Sequence, residues 1–207
     1  LRFLAAKGHH EALMAMAARY DDPQVAKAVQ AVLDEDPLDL YPSKIAGLPE
    51  LWQPKSWTQP TLKVGGALGD EAMTAFGQMM GFPRNDGLYE GLPQVIEACE
   101  PDTLAEFGWE MFSAWLADGA PAKDNWMFSS LAFLGNDEVA RRLTPLIRTW
   151  PGEAAHARAV AGLDVLEGIG TDTALMLLNG IAQKVKFKGL QDKAREKIAA
   201  IAEARGL

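Results

Sequence analysis

Basic side chains are concentrated near the C-terminal end of this sequence, and they are the residues best placed to do chemistry. Between residues 184 and 197, six Lys or Arg stand against Asp192 and Glu196, a net charge of +4. The members of this cluster are Lys184, Lys186, Phe187, Lys188, Lys193, Arg195 and Lys197. Because the first three lysines fall in a predicted loop between two helices, their side chains can converge. The cluster predicts contact with an acidic partner, either a protein or a nucleic-acid backbone.

The same cations have two structural explanations, which stay open at this point. Cations near the C-terminal end of a helix interact favourably with the helix dipole. Alternatively, the cluster docks on an acidic face of its own protein. Binding of duplex or single-stranded DNA at low salt would separate these explanations from the nucleic-acid hypothesis.

Paired carboxylates are the second candidate for chemistry. Glu106 and Glu110 stand four residues apart, so they lie side by side on a helix and could perform acid/base catalysis. An exposed polar stripe is the more common outcome of this spacing. Asp102, Asp137 and Asp172 recur at one spacing and are predicted to be N-caps of helices.

Histidine and cysteine give no catalytic or metal constellation. His9, His10 and His156 have no second ligand at metal-binding spacing, so no metal is predicted. Cys99 falls on a core position and is predicted to be a small buried apolar residue. The sequence also contains no nucleophile elbow and no phosphate-binding loop. The prediction is therefore a protein without catalytic residues, metal or cofactor.

The elements that carry these residues repeat at a period of 35. Asp102, Asp137 and Asp172 align at this step, and so do Phe128, Leu163 and Ile198. A fixed period of this size, with apolar residues at helical spacing, is typical of a stacked helical array. The predicted units cover 67–100, 102–135, 136–170 and 171–206, which gives three to four repeats within 66–207.

The N-terminal part is predicted to contain one further helical hairpin over residues 1–36. Its first helix covers about 9–20, and its second begins at Pro23 and runs to about Leu33. We expect this hairpin and the repeats to form one continuous structural domain. The sequence does not begin with Met, and we expect it to be part of a longer protein.

Residues 37–65 interrupt the helical pattern with five prolines, at 37, 42, 49, 54 and 60. Proline removes amide donors and disfavours helix at the preceding residue. Large apolar residues, such as Trp52 and Trp57, argue against disorder. The segment is predicted to be an ordered strap over neighbouring helices, with a short helical turn near Pro49–Trp52. Both a packed insertion and a partner-binding loop are compatible with it.

Charge and composition exclude several classes of protein. The 207 residues carry a net charge of −8. Residues 1–120 contain 8 Lys or Arg and 18 Asp or Glu, whereas 121–207 contain 12 and 10. An acidic majority argues against a general nucleic-acid sleeve. No stretch reaches the roughly 18 apolar residues of a membrane helix, and a single cysteine is typical of a reducing compartment.

The unit from Arg142 to Gly170 resembles a HEAT repeat. Its first helix contains Leu-Thr-Pro-Leu-Ile, and its second contains Arg-Ala and ends in Leu-Glu-Gly-Ile-Gly. The tail from Asn179 to Gln191, with Lys-Ala-Arg-Glu at 193–196, resembles a helical segment of large bacterial proteins with the domain of unknown function 4132. Those proteins are similar to the proposed molybdate-metabolism regulator, and some contain a WGR domain, whose signature is absent here. The resemblance implies a cytoplasmic piece of a multidomain protein and brings no catalytic residues.

The sequence therefore predicts an all-α fold, a HEAT-like α-solenoid of antiparallel helical hairpins in a superhelix with one Pro-rich insertion. We expect a non-catalytic scaffold or protein-interaction module, whose partner is a protein or a neighbouring domain and not a membrane. The alternative is a nucleic-acid-binding module that uses the basic loop around Lys184–Lys197. An independent enzyme is the least supported class.

Overall fold

The computed structural model describes residues 14–15, 18–19, 23–33, 47–82, 89 and 91–205. The described residues are all-α, and β-structure among them is limited to two isolated bridges. Contacts divide the chain into two compact units, one of residues 1–45 with 84–87 and the other of 46–83 with 88–207. The prediction of one continuous domain is not tested by this division.

The first unit contains helix α1, Pro23–Leu33. Proline stands at its first position, as predicted, where its missing N–H would have no intrahelical partner. Val29, on the predicted apolar stripe, is buried. Residues 14–15 and 18–19 are also helical, in agreement with the predicted first helix. The other residues of the predicted hairpin, including His9 and His10, lie outside the described residues.

In the second unit, the strap is ordered over residues 47–69. A turn closes at the predicted place, where the Trp52 N–H donates to the Pro49 carbonyl at 2.9 Å, and a 3₁₀ helix follows at Pro54–Ser56. The rings of Trp52 and Trp57 lie 5.9 and 5.8 Å from that of Phe107, centroid to centroid. The described part of the predicted strap is thus packed on a helix, and residues 37–46 lie outside the description.

Helices α2, Asp70–Met80, and α3, Gly91–Ala98, follow the strap. Phe76 and Met80 are buried here together with Cys99, the predicted core position, and Ile96 is partly buried. Pro93 lies within α3 and does not interrupt it. The helix begins only two residues earlier, so proline occupies the first turn, where no N–H is required.

Helix α4, Pro101–Ala117, is strongly apolar, and Asp118 and Gly119 follow its last residue. The Ala120 N–H bonds the Trp115 carbonyl at 2.9 Å, and the Gly119 N–H bonds Leu116 at 3.2 Å. Gly119 and Ala120 both have positive φ, at 83° and 57°. These bonds form a Schellman motif, which satisfies the last carbonyls of the helix.

The second half of the predicted unit 102–135 is not one continuous helix. The segment consists of a 3₁₀ turn at Ala122–Asp124, helix α5 at Trp126–Ser129 and helix α6 at Leu131–Leu134. The interruption coincides with Ser130, whose hydroxyl donates to the Trp126 carbonyl at 2.7 Å. Serine competes in this way with the regular backbone pattern.

The remaining helices form two hairpins close to the predicted bounds. Helix α7 is Asp137–Thr149, α8 is His156–Ile169, α9 is Asp172–Lys184 and α10 is Lys188–Arg205. A 3₁₀ turn at Trp150–Glu153 connects the first pair, and Gly170 ends α8 at φ 62°. The last helix begins two residues before the predicted Leu190.

Helices contact both their sequence neighbours and the helices two places away. Thus α7 packs on α8 and α9, and α10 packs on α8 and α9. Phe128 and Leu163, two residues of one repeat position, are buried, and the third, Ile198, is partly buried against the same core. Each hairpin therefore covers apolar surface of the next. The HEAT-like superhelical arrangement itself stays a prediction.

Polar contacts join the starts of α4, α7 and α9, the first helices of successive units. The predicted Asp caps are wrong by one or two residues. Helix α4 is preceded by Glu100, and the side chains of Asn136 and Thr171 cap α7 and α9. The aspartates lie inside the first turn, where they favour the positive end of the helix dipole. Asp102 accepts from the Asn136 amide at 3.1 Å, and Asp137 accepts from the Thr173 hydroxyl at 2.6 Å.

Candidate functional site

The predicted basic loop connects α9 to α10, and its backbone is fixed. Val185, the first residue after α9, is 7% exposed, and its N–H donates to the Ile181 carbonyl. The Gln191 amide of α10 donates back to the Val185 carbonyl at 2.7 Å. The Phe187 carbonyl accepts the N–H groups of Leu190 and Gln191. The loop therefore presents its side chains from a rigid backbone.

A shallow cavity of about 270 Å³ opens at this loop, lined by Arg148, Lys184, Val185, Lys186 and Phe187. Arg148 comes from the last turn of α7 and was missed by the sequence analysis. Its guanidinium lies against α9 because Gly180 has no side chain; a Cβ there would be 3.2 Å from Nη2. At the 35-residue step Arg148 aligns with Gln183, the residue before Lys184. The repeat register could therefore have indicated that Arg148 lies near the cluster.

Three cations of the predicted cluster are already paired within the protein. Lys197 reaches α8, where its Nζ lies 2.6 Å from Asp164 and 2.8 Å from Glu167. These hydrogen bonds, that to Asp164 first, raise the pKa of Lys197 above its ordinary value. Lys193 pairs with Glu196 at 2.6 Å, and Arg195 pairs with Asp192 at 2.7 Å. Intramolecular docking, one of the alternatives left open by the sequence, describes Lys197, whereas Lys193 and Arg195 pair with carboxylates three residues away on α10 itself.

The other predicted residues are available to a partner. Lys184, Lys186 and Lys188 are exposed and form no ion pair within the described part of the chain. Phe187 is 39% exposed, unusual for a large apolar side chain. We call Arg148, Lys184, Lys186, Phe187 and Lys188 the basic patch. Three of the seven predicted residues, Lys184, Lys186 and Phe187, thus line one cavity with Arg148, and Lys188 follows them as the first residue of α10.

The paired carboxylates are engaged in structural contacts. Glu106 pairs with Arg142 of α7 at 2.6 Å, and that guanidinium lies 4.3 Å from the Trp109 ring centroid. Glu110 accepts the backbone N–H of Thr58 in the strap. Both glutamates are half-buried, so the expected exposed stripe is wrong. Their role here is to attach α7 and the strap to α4.

Cys99 is fully buried, as predicted. Burial raises the pKa of its thiol, an effect that the nearby Lys63 partly opposes. A thiol in this state is a poor nucleophile, because the thiolate is the reactive form. His156 is exposed. Among the described side chains, no three His, Cys, Asp or Glu residues are grouped as metal ligands.

The comparison with known proteins gives one informative relative. The chain is 40% identical over 208 residues to the uncharacterized protein YehI of Escherichia coli strain K12. The alignment covers 100% of the chain and 17% of YehI, so the chain spans about a sixth of that protein. No family model matches the chain, and no solved structure matches it. None of the described helices has the length and apolar character needed to cross a membrane.

The chemistry available at the basic patch is recognition of anions. Lysine ammonium groups and the Arg148 guanidinium donate charge-assisted hydrogen bonds to carboxylates or phosphates. The ring of Phe187 adds an apolar contact beside them. The lining residues contain no carboxylate, so no charge on the cavity wall opposes an incoming anion.

Proposed function

We propose that this chain is a non-catalytic helical-repeat module that binds a protein segment within a larger cytoplasmic bacterial protein. Three features support the proposal: the all-α fold, the contacts between alternate helices, and a relative roughly six times as long. A HEAT-like array provides extended surfaces suited to peptides or neighbouring domains. The resemblance to proteins with the domain of unknown function 4132 is part of this proposal.

The observation that carries the proposal is the unpaired charge of the basic patch. Four cations and one exposed aromatic ring lie at the ends of α7 and α9 and at the start of α10, whereas the adjacent cations are paired with carboxylates. Leaving several like charges unpaired in one place disfavours the isolated module. A partner with Asp or Glu residues and an apolar side chain would complement both parts of the patch.

The proposal is tested with a short Glu-rich peptide that contains one leucine, followed by fluorescence anisotropy. We expect binding at low salt that the double variant Lys184→Gln/Lys186→Gln weakens by about tenfold. The matched control is Lys193→Gln, a lysine on α10 already paired with Glu196, which should bind like the unchanged chain. Unchanged binding by the double variant, or no binding at low salt, would contradict the proposal.

A nucleic-acid role is the second candidate, and the exposed Phe187 beside three lysines is the observation that favours it. Single-stranded nucleic acids bind to such surfaces by stacking on aromatic rings along a basic groove. The patch is small, however, and the N-terminal 120 residues are strongly acidic. Single-stranded and duplex DNA belong in the same assay. Binding of DNA but not the peptide, lost in Phe187→Ala, would replace the protein-binding proposal.

A further inference from the structure

A second cavity, on the strap, has a different chemical character. It has a volume of about 680 Å³ and lies between the strap and the connection that follows α4. This size is within the roughly 300–1,000 Å³ of ordinary ligand pockets. Its lining consists of Gly47, Leu48, Pro49, Glu50, Leu51, Gln53, Asp118, Lys123 and Asp124. No sequence motif pointed to it.

Asp124 is the residue that makes this cavity unusual. It is only 7% exposed, and its Oδ2 atom has no hydrogen-bond partner among the described residues. No ion pair of Asp124 is found within this part of the chain. Burial of a carboxylate without a partner is strongly unfavourable. A group of this kind in a native structure calls for a water, an ion or a ligand as its missing partner.

The backbone around Asp124 is held in place by its neighbours. The Schellman motif of α4 directs the chain into Pro121, whose carbonyl accepts the Asp124 N–H at 3.0 Å. The same carbonyl accepts the indole N–H of the buried Trp115, also at 3.0 Å. These bonds fix the backbone of Asp124 beside the cavity, from which its side chain extends.

The electrostatic environment favours a cation in the cavity. Asp118 lies directly after α4, where the helix dipole is negative, so the dipole and the carboxylate act in the same direction. Glu50 adds a third acidic side chain. Lys123 is the cation of the lining, and it forms no ion pair with a described carboxylate. The lining therefore carries a net charge of −2.

The strap contributes three half-buried apolar residues to the lining, Leu48, Pro49 and Leu51, next to Glu50 and Gln53. A ligand that complements both the acidic and the apolar residues needs an apolar stem and a cationic head. Arginine has this form, and its weakly hydrated guanidinium donates charge-assisted hydrogen bonds to carboxylates. The geometry points to a binding site for a guanidinium on an apolar stem, with Asp124 as its acceptor, and a peptide-borne arginine as the ligand.

The test uses the 207-residue chain labelled with ¹⁵N and titrated with N-acetyl-arginine N-methylamide. Saturable shifts should appear in backbone amides of residues 47–53 and 118–124. The citrulline derivative, which has the same shape without the charge, should cause none. Agmatine reports on a free guanidinium: weaker binding than the arginine derivative supports a peptide as the source, and equal binding supports a small molecule.

Two variants decide whether the carboxylates hold the ligand. Asp124→Asn should weaken binding of the arginine derivative by about tenfold or more, as expected for loss of a charge-assisted pair. Asp118→Asn, at an exposed position, should fold normally. It should weaken binding of the arginine derivative by about threefold, through the lost charge alone. Glu153→Gln, exposed and outside the lining, is the matched control.

Three results would overturn the inference: no saturable shift with the arginine derivative, equal binding of the citrulline derivative, or unchanged affinity in both Asp variants. If Asp124→Asn does not fold, the Asp118→Asn variant still decides. The basic-patch variant Lys184→Gln/Lys186→Gln should bind the arginine derivative normally. Failure of this inference is therefore distinguishable from failure of the proposed function.

Discussion

At the scale of the residue, Asp137 shows how a single side chain connects two helices. Hydrogen bonds from Thr171 and Thr173 lower the pKa of Asp137 below its ordinary value, with a smaller contribution from Arg141. A group with a lowered folded-state pKa stabilises the fold above its unfolded-state pKa, near 3.9 for aspartate. This contribution is lost as the pH falls through the folded-state value. The contact between α7 and α9 should therefore be sensitive to acid.

Thr173→Val tests this contact, because valine keeps the shape of threonine and removes the hydroxyl donor. We expect the pKa of Asp137 to rise towards its ordinary value, so that stability is lost at a less acidic pH. Carboxyl ¹³C chemical shifts across an acid titration measure the pKa, and urea denaturation at each pH measures stability. Thr74→Val, where the hydroxyl bonds only its own helix, is the control. An unchanged Asp137 titration in Thr173→Val would show that the hydroxyl is not a significant donor.

Leu163 is the fully buried middle member of the repeat position that also contains Phe128 and Ile198. It is 0% exposed within α8, between its own hairpin and the neighbouring helices. Leu163→Ala should lower the free energy of unfolding by about 2–5 kcal/mol, the lost transfer energy plus the cost of a cavity. Met176→Ala, at a side chain 67% exposed, should change it by less than about 0.5 kcal/mol. Equal losses in a urea denaturation series would contradict the assigned burial.

At the scale of the element, the strap is attached by close packing as well as by hydrogen bonds. Gly77 of α2 faces Trp52, and a Cβ on Gly77 would lie 2.6 Å from Cζ2 of that ring. The indole is simultaneously in contact with Trp57 and Phe107. The ring therefore has little room to retreat, and the strap depends on a glycine in the middle of a helix.

Gly77→Ala should detach or displace this part of the strap. Overpacking costs about 1–3 kcal/mol, which exceeds the helix-propensity gain of about 1 kcal/mol from replacing glycine. Denaturation monitored by tryptophan fluorescence measures both the loss and the change around Trp52. Gly152→Ala, where no atom lies within 4 Å of the added Cβ, is the matched control. A Gly77→Ala variant as stable as the control would mean that the strap adapts freely.

The sequence was sufficient to predict those elements whose signals are local. The apolar period predicted the units 136–170 and 171–206, which contain the helix pairs α7–α8 and α9–α10, and the tryptophans of the strap indicated an ordered segment. The break at Ser130 and the caps Asn136 and Thr171 were missed because several neighbouring residues could have taken the same role. These choices depend on tertiary contacts.

The candidate site was only partly predictable, for a related reason. Charge density found the loop lysines, but it could not separate Lys197, paired with α8, from Lys186, which is exposed. Arg148 and Asp124 were missed, since they belong to parts of the sequence distant from their neighbours in space. A basic or acidic residue in a sequence gives no indication of whether its partner lies within the fold.

At the scale of the whole molecule, the helical hairpins should be separable. A chain ending at Gly170 loses α9 and α10, which contact α7 and α8, but keeps the contacts of α4 to α8 with one another. In a linear array, stability is the sum of unit and neighbour terms. We expect the shortened chain to remain helical and unfold cooperatively, with a lower melting temperature. Circular dichroism measures both quantities, and complete unfolding would favour a single indivisible core.

The contacts between helix starts have a consequence for engineering. Asp137 receives a bond from the following unit, and Asn136 beside it donates one to the preceding unit, so adjoining residues carry both halves of a connector. A duplicated segment from Asn136 to Gly170 would bring both halves with it. If the copy is inserted before Thr171, the amide of the copied Asn136 would face the carboxylate of the original Asp137, as Asn136 now faces Asp102. The protein could in this way be lengthened by whole units without redesign of the hydrogen bonds between them.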